Sequence, residues 1–383
     1  MFDEPDLAIQ WPVDLIVSEL AACQTLGGDH IGRLMNEIFV GDNVLERYSA
    51  GEWGRDMDLF ITSLDHEELV QRTLRAARSG QLREATTRPP RWRRRNSGEL
   101  NEPPSGQTRT LASSFQILLA GFDSLGYFDR LTGRVCVDKD DPVRPLDTQV
   151  ADEFGGYIDL KFLNRQFRVS SSQELYEHDR GGATRITNLG DDDLYELIEI
   201  FHDLAARPRG GHFHSFAGCG MHFSHFAVST GQRLYRWRTN LLLKEHAVPL
   251  ELADDGELKG RLVRVIDKER TQLVERVSSQ AIEDARKEID HAIDLFRSRS
   301  STRQQKVSAI VVLAGILENE RDLIGEELSN KDENALFHIA NNFGLRHRNK
   351  AQQDDYHDDF LDWIFWWYLA TIELLQRISA RQR

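Results

Sequence analysis

Along much of the chain, apolar residues recur one helical turn apart. Between residues 14 and 84, Leu34, Ile38 and Phe39, then Val70, Leu74 and Ala77, fall at the interval that lines one face of an α-helix. Residues 1–85 therefore read as a small N-terminal helical bundle. Residues 86–109 break the pattern with Pro89, Pro90, Gly98, Pro103, Pro104 and Gly106, a composition that predicts a flexible linker. A helix is expected over Leu111 to Leu125. Short alternating stretches at Arg134–Asp138 and Tyr157–Val169 then point to a small sheet, so residues 110–257 read as an α+β middle domain. Asp191, Asp192 and Asp193 open a helix through Ala206, where acidic side chains suit the positive end of the helix dipole. Pro208 with Gly210 and Gly211 is expected to end it.

From Leu262 onward helix dominates. Leu273, Val277, Ala281, Ala285, Ile289, Ala292 and Phe296 are spaced by three and four, a second helix is expected over Thr302–Leu328, and a third runs from Asn330 through Ala340. Four or five antiparallel helices with short links make residues 258–383 a helical bundle, and the chain as a whole mainly α with a small α+β middle domain. The last helix, Leu361 to Leu375, is apolar on nearly every face. Either the bundle surrounds it or a second subunit covers it, and dimerisation is the economical expectation.

Composition narrows the class. At 383 residues the chain exceeds what one core usually organises. Its 40% hydrophobic content suffices for folding. No stretch approaches the roughly 20 apolar residues that span a bilayer, and the start Met1-Phe2-Asp3-Glu4 lacks the basic beginning of a secretory signal. Three widely spaced cysteines, Cys23, Cys136 and Cys219, argue for a reducing compartment, so a cytoplasmic protein without membrane contact is expected. The net charge of −14 means that any nucleic-acid contact must be local. The basic run Arg91-Trp92-Arg93-Arg94-Arg95 has the residue types for such a contact, but its Pro/Gly-rich neighbours favour a solvated linker.

Two constellations carry candidate chemistry. The first is Asn341-Asn342-Phe343-Gly344-Leu345-Arg346-His347-Arg348-Asn349-Lys350, between the third and last helices of the bundle. Metal-free RNA cleavage needs a base for the 2′-hydroxyl proton, an acid for the leaving oxygen and a cation over the phosphate, and imidazole with guanidinium supplies all three. The alternative is that these residues cap helices and pair with Asp354, Asp355, Asp358 and Asp359. With its flanking helices this segment resembles the HEPN superfamily, helical bundles with an Arg-Asn motif followed by His. Asn342 and His347 occupy the Asn and His places in one register; Asn341 then stands where the family has Arg, and Arg346 or Arg348 supplies the guanidinium. In the other register Arg348-Asn349 is the pair and His357 the next histidine. The resemblance covers residues 258–383 and implies a dimeric, metal-independent ribonuclease of a bacterial toxin or antiphage system, with RNA as substrate and no cofactor.

The second constellation is His212-Phe213-His214-Ser215-Phe216-Ala217-Gly218-Cys219-Gly220-Met221-His222. Imidazole and thiolate are good zinc ligands, and the two-residue spacing of Cys219 and His222 lets both reach one tetrahedral ion. Cys219, His222, His214 and His212 are thus the candidate ligands of a structural zinc. The competing expectation is an aromatic core with hydrogen-bonded histidines. Tyr235-Arg236-Trp237-Arg238 reads as a half-buried amphipathic segment. At the N-terminus, Leu26-Gly27-Gly28-Asp29-His30-Ile31-Gly32-Arg33-Leu34 and Leu74-Arg75-Ala76-Ala77-Arg78-Ser79-Gly80-Gln81-Leu82 resemble the death-like effector-associated adaptor domains, which implies homotypic docking to a protein partner.

Overall fold

The computed structural model describes residues 8–23, 28–39, 63–82, 110–132, 186, 189–214, 220–281, 283–342 and 357–382. The protein is mainly helical with two small antiparallel hairpins, in two compact units, Met1–His246 and Ala247–Arg383. Among the described residues, no helix is long and apolar enough to cross a membrane.

In the first unit, α1 (Val13–Cys23), α2 (Gly28–Ile38) and α3 (Ser63–Arg78) bury Leu15, Ile16 and Leu20, Leu34, Met35 and Ile38, and Val70 and Leu74 respectively. The chain before α1 and the end of α2 are joined by the isolated bridge of Ile9 with Phe39 and by Gln10 N–H donating to the Ile38 carbonyl at 2.7 Å. α4 (Leu111–Ser124) begins at Thr110, whose hydroxyl accepts the Ser113 N–H and satisfies one of the free amides at the helix start. A single turn, α5 (Asp129–Thr132), and α6 (Asp191–Leu204) follow. Phe115, Phe122, Tyr127, Phe128 and Phe201 meet edge-on or tilted, the arrangement that ring quadrupoles favour.

The helix from Asp191 ends before Pro208 as expected, and Pro208 itself lies inside a strand. α6 ends at Leu204, and β1 (Arg207–His214) pairs antiparallel with β2 (Gly220–Ala227). Two strands have only outer edges, where a proline without an N–H is tolerated, and the ladder slips in register between Pro208 and Gly211. β2 runs directly into α7 (Val228–Glu245), which carries the Tyr235–Arg238 stretch. There Tyr235 is fully buried, its hydroxyl donating to the Ile198 carbonyl at 3.0 Å. Gly231 lets α7 lie against the chain entering β1: a Cβ at this position would sit 2.6 Å from Ala206 Cα.

The second unit opens with a hairpin of β3 (Leu250–Leu252) and β4 (Leu262–Arg264), so Leu262 starts a strand and the helical region begins at α8 (Lys268–Gln280). α9 (Glu283–Arg297) and α10 (Arg303–Asn319) follow, the latter opened by a capping box in which Thr302 and Gln305 each accept the other's backbone N–H. The single helix expected over Thr302–Leu328 is broken at Glu320. α11 (Arg321–Glu327) departs there, burying Ile324 and placing the Arg321 guanidinium 4.6 Å from the Phe337 ring centroid. α12 (Asn330–Asn342) and α13 (Asp358–Gln382) complete the bundle. Its core includes Ile289, Phe296, Ile310, Leu313, Leu336 and Phe365, with Phe296 and Phe365 stacked at 3.9 Å.

Candidate functional site

The segment with the Asn, Arg and His candidates is bracketed by α12 and α13. Asn342 is the last residue of α12; Arg346, His347, Arg348 and Asn349 lie outside the described residues, as does the side chain of Asn342. Both bracketing helices are fixed in the same core. Leu336 and Phe337 of α12 join Leu361, Ile364 and Tyr368 of α13, and the Tyr368 hydroxyl donates to the Leu336 carbonyl at 3.0 Å. His357, the histidine of the second register, is exposed at the start of α13, with Nδ1 2.9 Å from Asp359 Oδ2. Asp358 pairs with Arg303, and Asp362 with Lys306 Nζ at 3.3 Å. Lys306 itself is buried and lies 5.4 Å from the centroid of Phe296.

The histidine-rich segment forms the β1–β2 hairpin. His212 pairs with His222, Phe213 with Met221 and His214 with Gly220. The His222 ring is buried, 5.8 Å from the ring of His214. Gly211 permits the close ladder, since a Cβ there would fall 2.1 Å from the His222 carbonyl oxygen. Phe223 takes the Arg33 guanidinium against its face at 4.5 Å. Among the described residues, no group of three or more His, Cys, Asp or Glu side chains is placed to hold a metal. Cys219 and the side chain of His212 lie outside the described residues, so the proposed ligand set is not assembled within them.

A cluster of buried charge in the first unit is absent from the sequence reading. Glu19 of α1 and Glu37 of α2 converge on Arg207 and Arg209 of β1. Arg207 donates to Glu19 at 2.7 Å and to Glu37 at 3.2 and 3.3 Å. Arg209 grips Glu19 with Nε at 2.9 Å and a terminal nitrogen at 2.7 Å. Thr230 and Tyr127 complete the network, donating to Glu19 at 2.9 Å and to Glu37 at 2.8 Å. Burial pushes the Glu19 carboxyl up, but the Arg209 hydrogen bonds and the charge of Arg207 outweigh it and hold the group at about 2. Burial, with Arg207 and Arg33 nearby, lowers His30 to about 4. A carboxylate held that low cannot exchange protons near neutrality, and two acids against two guanidiniums close the charge balance; the cluster is a fastener of α1, α2 and β1.

The last helix is not covered on all sides. Leu361, Ile364, Phe365, Leu369 and Leu375 are buried, whereas Phe360, Trp363 and Leu374 are 46%, 52% and 43% exposed. Trp363 stacks on Trp367 at 5.5 Å, and Arg270 lies 5.0 Å from the Trp366 ring centroid. These groups line a cavity of about 460 Å³ together with Asp359 and Asp362. No protein-family model, curated protein or solved structure matches the chain.

Proposed function

We propose that the C-terminal unit is a metal-independent endoribonuclease of the HEPN type, the effector of a bacterial defence or toxin system, acting in the cytoplasm as paired subunits, with the N-terminal helices docking a protein partner. The observation that carries this reading is the bracket formed by α12 and α13. Because one core holds both helices, the polar segment is tethered at both ends to a rigid frame, which is what positioned acid–base groups need. In this reading the His347 imidazole takes the 2′-hydroxyl proton as O2′ attacks phosphorus. The P–O5′ bond breaks, the leaving 5′-oxygen takes a proton from solvent water, and a 2′,3′-cyclic phosphate remains. Arg346 and Arg348 balance the added charge on the phosphoryl oxygens, while Asn342 and Asn349 orient the ribose phosphate. Of the four acids in the alternative role for the arginines, Asp358 already pairs with Arg303.

The test is cleavage of tRNA by the purified protein in EDTA. Activity retained in chelator and lost in His347→Ala is the expected result; equal cleavage by the variant, or no cleavage by the parent protein, overturns the proposal. A second reading, a non-catalytic scaffold or sensor subunit, draws support from the exposed aromatic face of α13. It expects His347→Ala to leave the assembled system active.

A further inference from the structure

Two short rows of side chains run along α13, each stepping by one helical turn. Asp359, Trp363 and Trp367 form the first row, Asp362 and Trp366 the second. With Arg270 of α8 they line the cavity of about 460 Å³, a size within the roughly 300–1,000 Å³ of small-molecule sites. In the first row the two indoles are nearly parallel, 14° apart, so Trp367 covers one face of Trp363 while Trp363 stays 52% exposed. The stack therefore ends in an open aromatic surface, and the next position along the row is the carboxylate of Asp359. On the other wall the Arg270 guanidinium lies 5.0 Å from the Trp366 ring centroid, held through Nε by Asp267 at 3.4 Å. Its terminal nitrogens have no partner among the described residues. His357 takes one oxygen of Asp359 and Lys306 one oxygen of Asp362; among the described residues the second oxygen of each carboxylate is left to accept.

From these features we infer that the cavity binds a nucleotide. The base stacks on the open face of Trp363, its exocyclic amino group donates to Asp359, and its phosphate meets the terminal nitrogens of Arg270. Any base has a face to stack, but a carboxylate only accepts. Adenine and guanine carry an amino group for it to accept from, and uracil does not. The chain's own partners already offset the two acids, so the cavity does not repel a phosphate as two bare carboxylates would. A free organic cation is the other ligand that indoles and carboxylates attract; here it meets the Arg270 guanidinium already resting on Trp366. A mononucleotide and an unpaired base of a single strand offer the same chemistry.

The inference goes beyond the nuclease reading and does not rest on it, because binding is read without cleavage. Isothermal titration of the full-length protein with AMP, GMP and UMP to about 5 mM covers the roughly 1 mM affinity that one stacked base with two polar contacts reaches. Saturable binding is expected, with AMP and GMP about threefold or more tighter than UMP. Trp363→Leu should weaken AMP at least tenfold and Trp363→Phe less, with an unchanged urea midpoint as the sign of an intact fold. Arg270→Gln should weaken AMP but not adenosine. Asp359→Asn, whose amide also donates, should narrow the gap between AMP and UMP. A pentamer of 2′-O-methyl adenosine, which has no hydroxyl to attack its phosphates, separates the two sources. Binding about tenfold tighter than AMP assigns the pocket to a strand, equal binding assigns it to the free nucleotide, and either supports the site. No saturation by any nucleotide, AMP binding undiminished in Trp363→Leu, UMP as tight as AMP, or displacement of AMP by an equal concentration of tetramethylammonium overturns the inference.

Discussion

Replacing Glu19 with Gln asks what the buried network of the first unit is worth. The substitution keeps the volume but removes a charge, and it turns one acceptor oxygen into an amide donor facing Arg207, Arg209 and Thr230. Arg207 retains Glu37, so one buried guanidinium is left half compensated rather than bare. Breaking a buried ion pair in this way costs about 3–5 kcal/mol. The depressed carboxyl gives a second route to the magnitude. A shift from 4.5 to about 2 corresponds to about 3 kcal/mol of preference for the charged form in the folded state. The two figures agree. Hydrogen exchange read by mass spectrometry on peptides from α1 and α7 localises the effect to the first unit, and about 3 kcal/mol appears as roughly hundredfold faster exchange. Peptides from α10 should be unchanged. Acceleration of less than tenfold in α1, or an equal change in α10, would refute the view that this cluster fastens the first unit.

Three further outcomes follow from the packing and the charges. Gly231→Ala should destabilise the first unit by about 1–3 kcal/mol, read as a lower urea midpoint, because the new methyl meets backbone of Ala206 and Arg207 rather than a movable side chain. Phe365→Ala, which removes the partner stacked on Phe296, should cost the second unit about 3–5 kcal/mol by the same measurement. The two units should respond to acid in opposite senses. His30 is lowered from 6.5 to about 4, so its contribution is complete above pH 6.5 and falls as the unfolded chain takes up the proton between 6.5 and 4; Glu19 adds a loss that begins below 4.5. In the second unit, burial raises Asp294 from 3.8 to about 6, so its contribution is present below pH 3.8 and is lost as pH rises through 6. His30→Gln should flatten the first profile above pH 4.5 and Asp294→Asn the second; unchanged slopes would contradict the assignments.

The helices were legible because burial on one face leaves a periodic trace in the sequence. The expected helix over Leu111–Leu125 is α4, and the acidic start at Asp191 is the start of α6. Local rules failed where pairing is set by distant chain. Pro208 and Gly210 read correctly as the end of the helix from Asp191, but that they continue as a strand is decided by pairing with β2. The break at Glu320 carries no glycine or proline; it is set by Ile324 reaching the core and Arg321 reaching Phe337. The charge network joins residues up to 211 positions apart, and no pattern in a window encodes that. A partial signal exists, since Glu19 and Glu37 sit on the apolar stripes of α1 and α2, where a carboxylate must find a buried partner. Of the candidate catalytic residues, only the helical position of Asn342 is described; of the candidate metal ligands, His214 and His222 lie with their rings 5.8 Å apart, and Cys219 and the side chain of His212 lie outside the described residues.

The fastener between Glu19 and β1 also has a consequence for synthesis. At about 5–20 residues per second, some ten to forty seconds separate the emergence of α1 from the ribosome from that of Arg207, Arg209 and Thr230. Throughout that interval the nascent chain holds Glu19 without its guanidinium counterparts, and Trp11 without the Arg207 guanidinium that lies 5.5 Å from its ring centroid in the finished fold, so α1 and α2 cannot reach their final state early. Stalling or cleavage before residue 207 leaves a fragment that lacks the charges its first helices were built around, an opening for quality-control proteases that the finished protein closes.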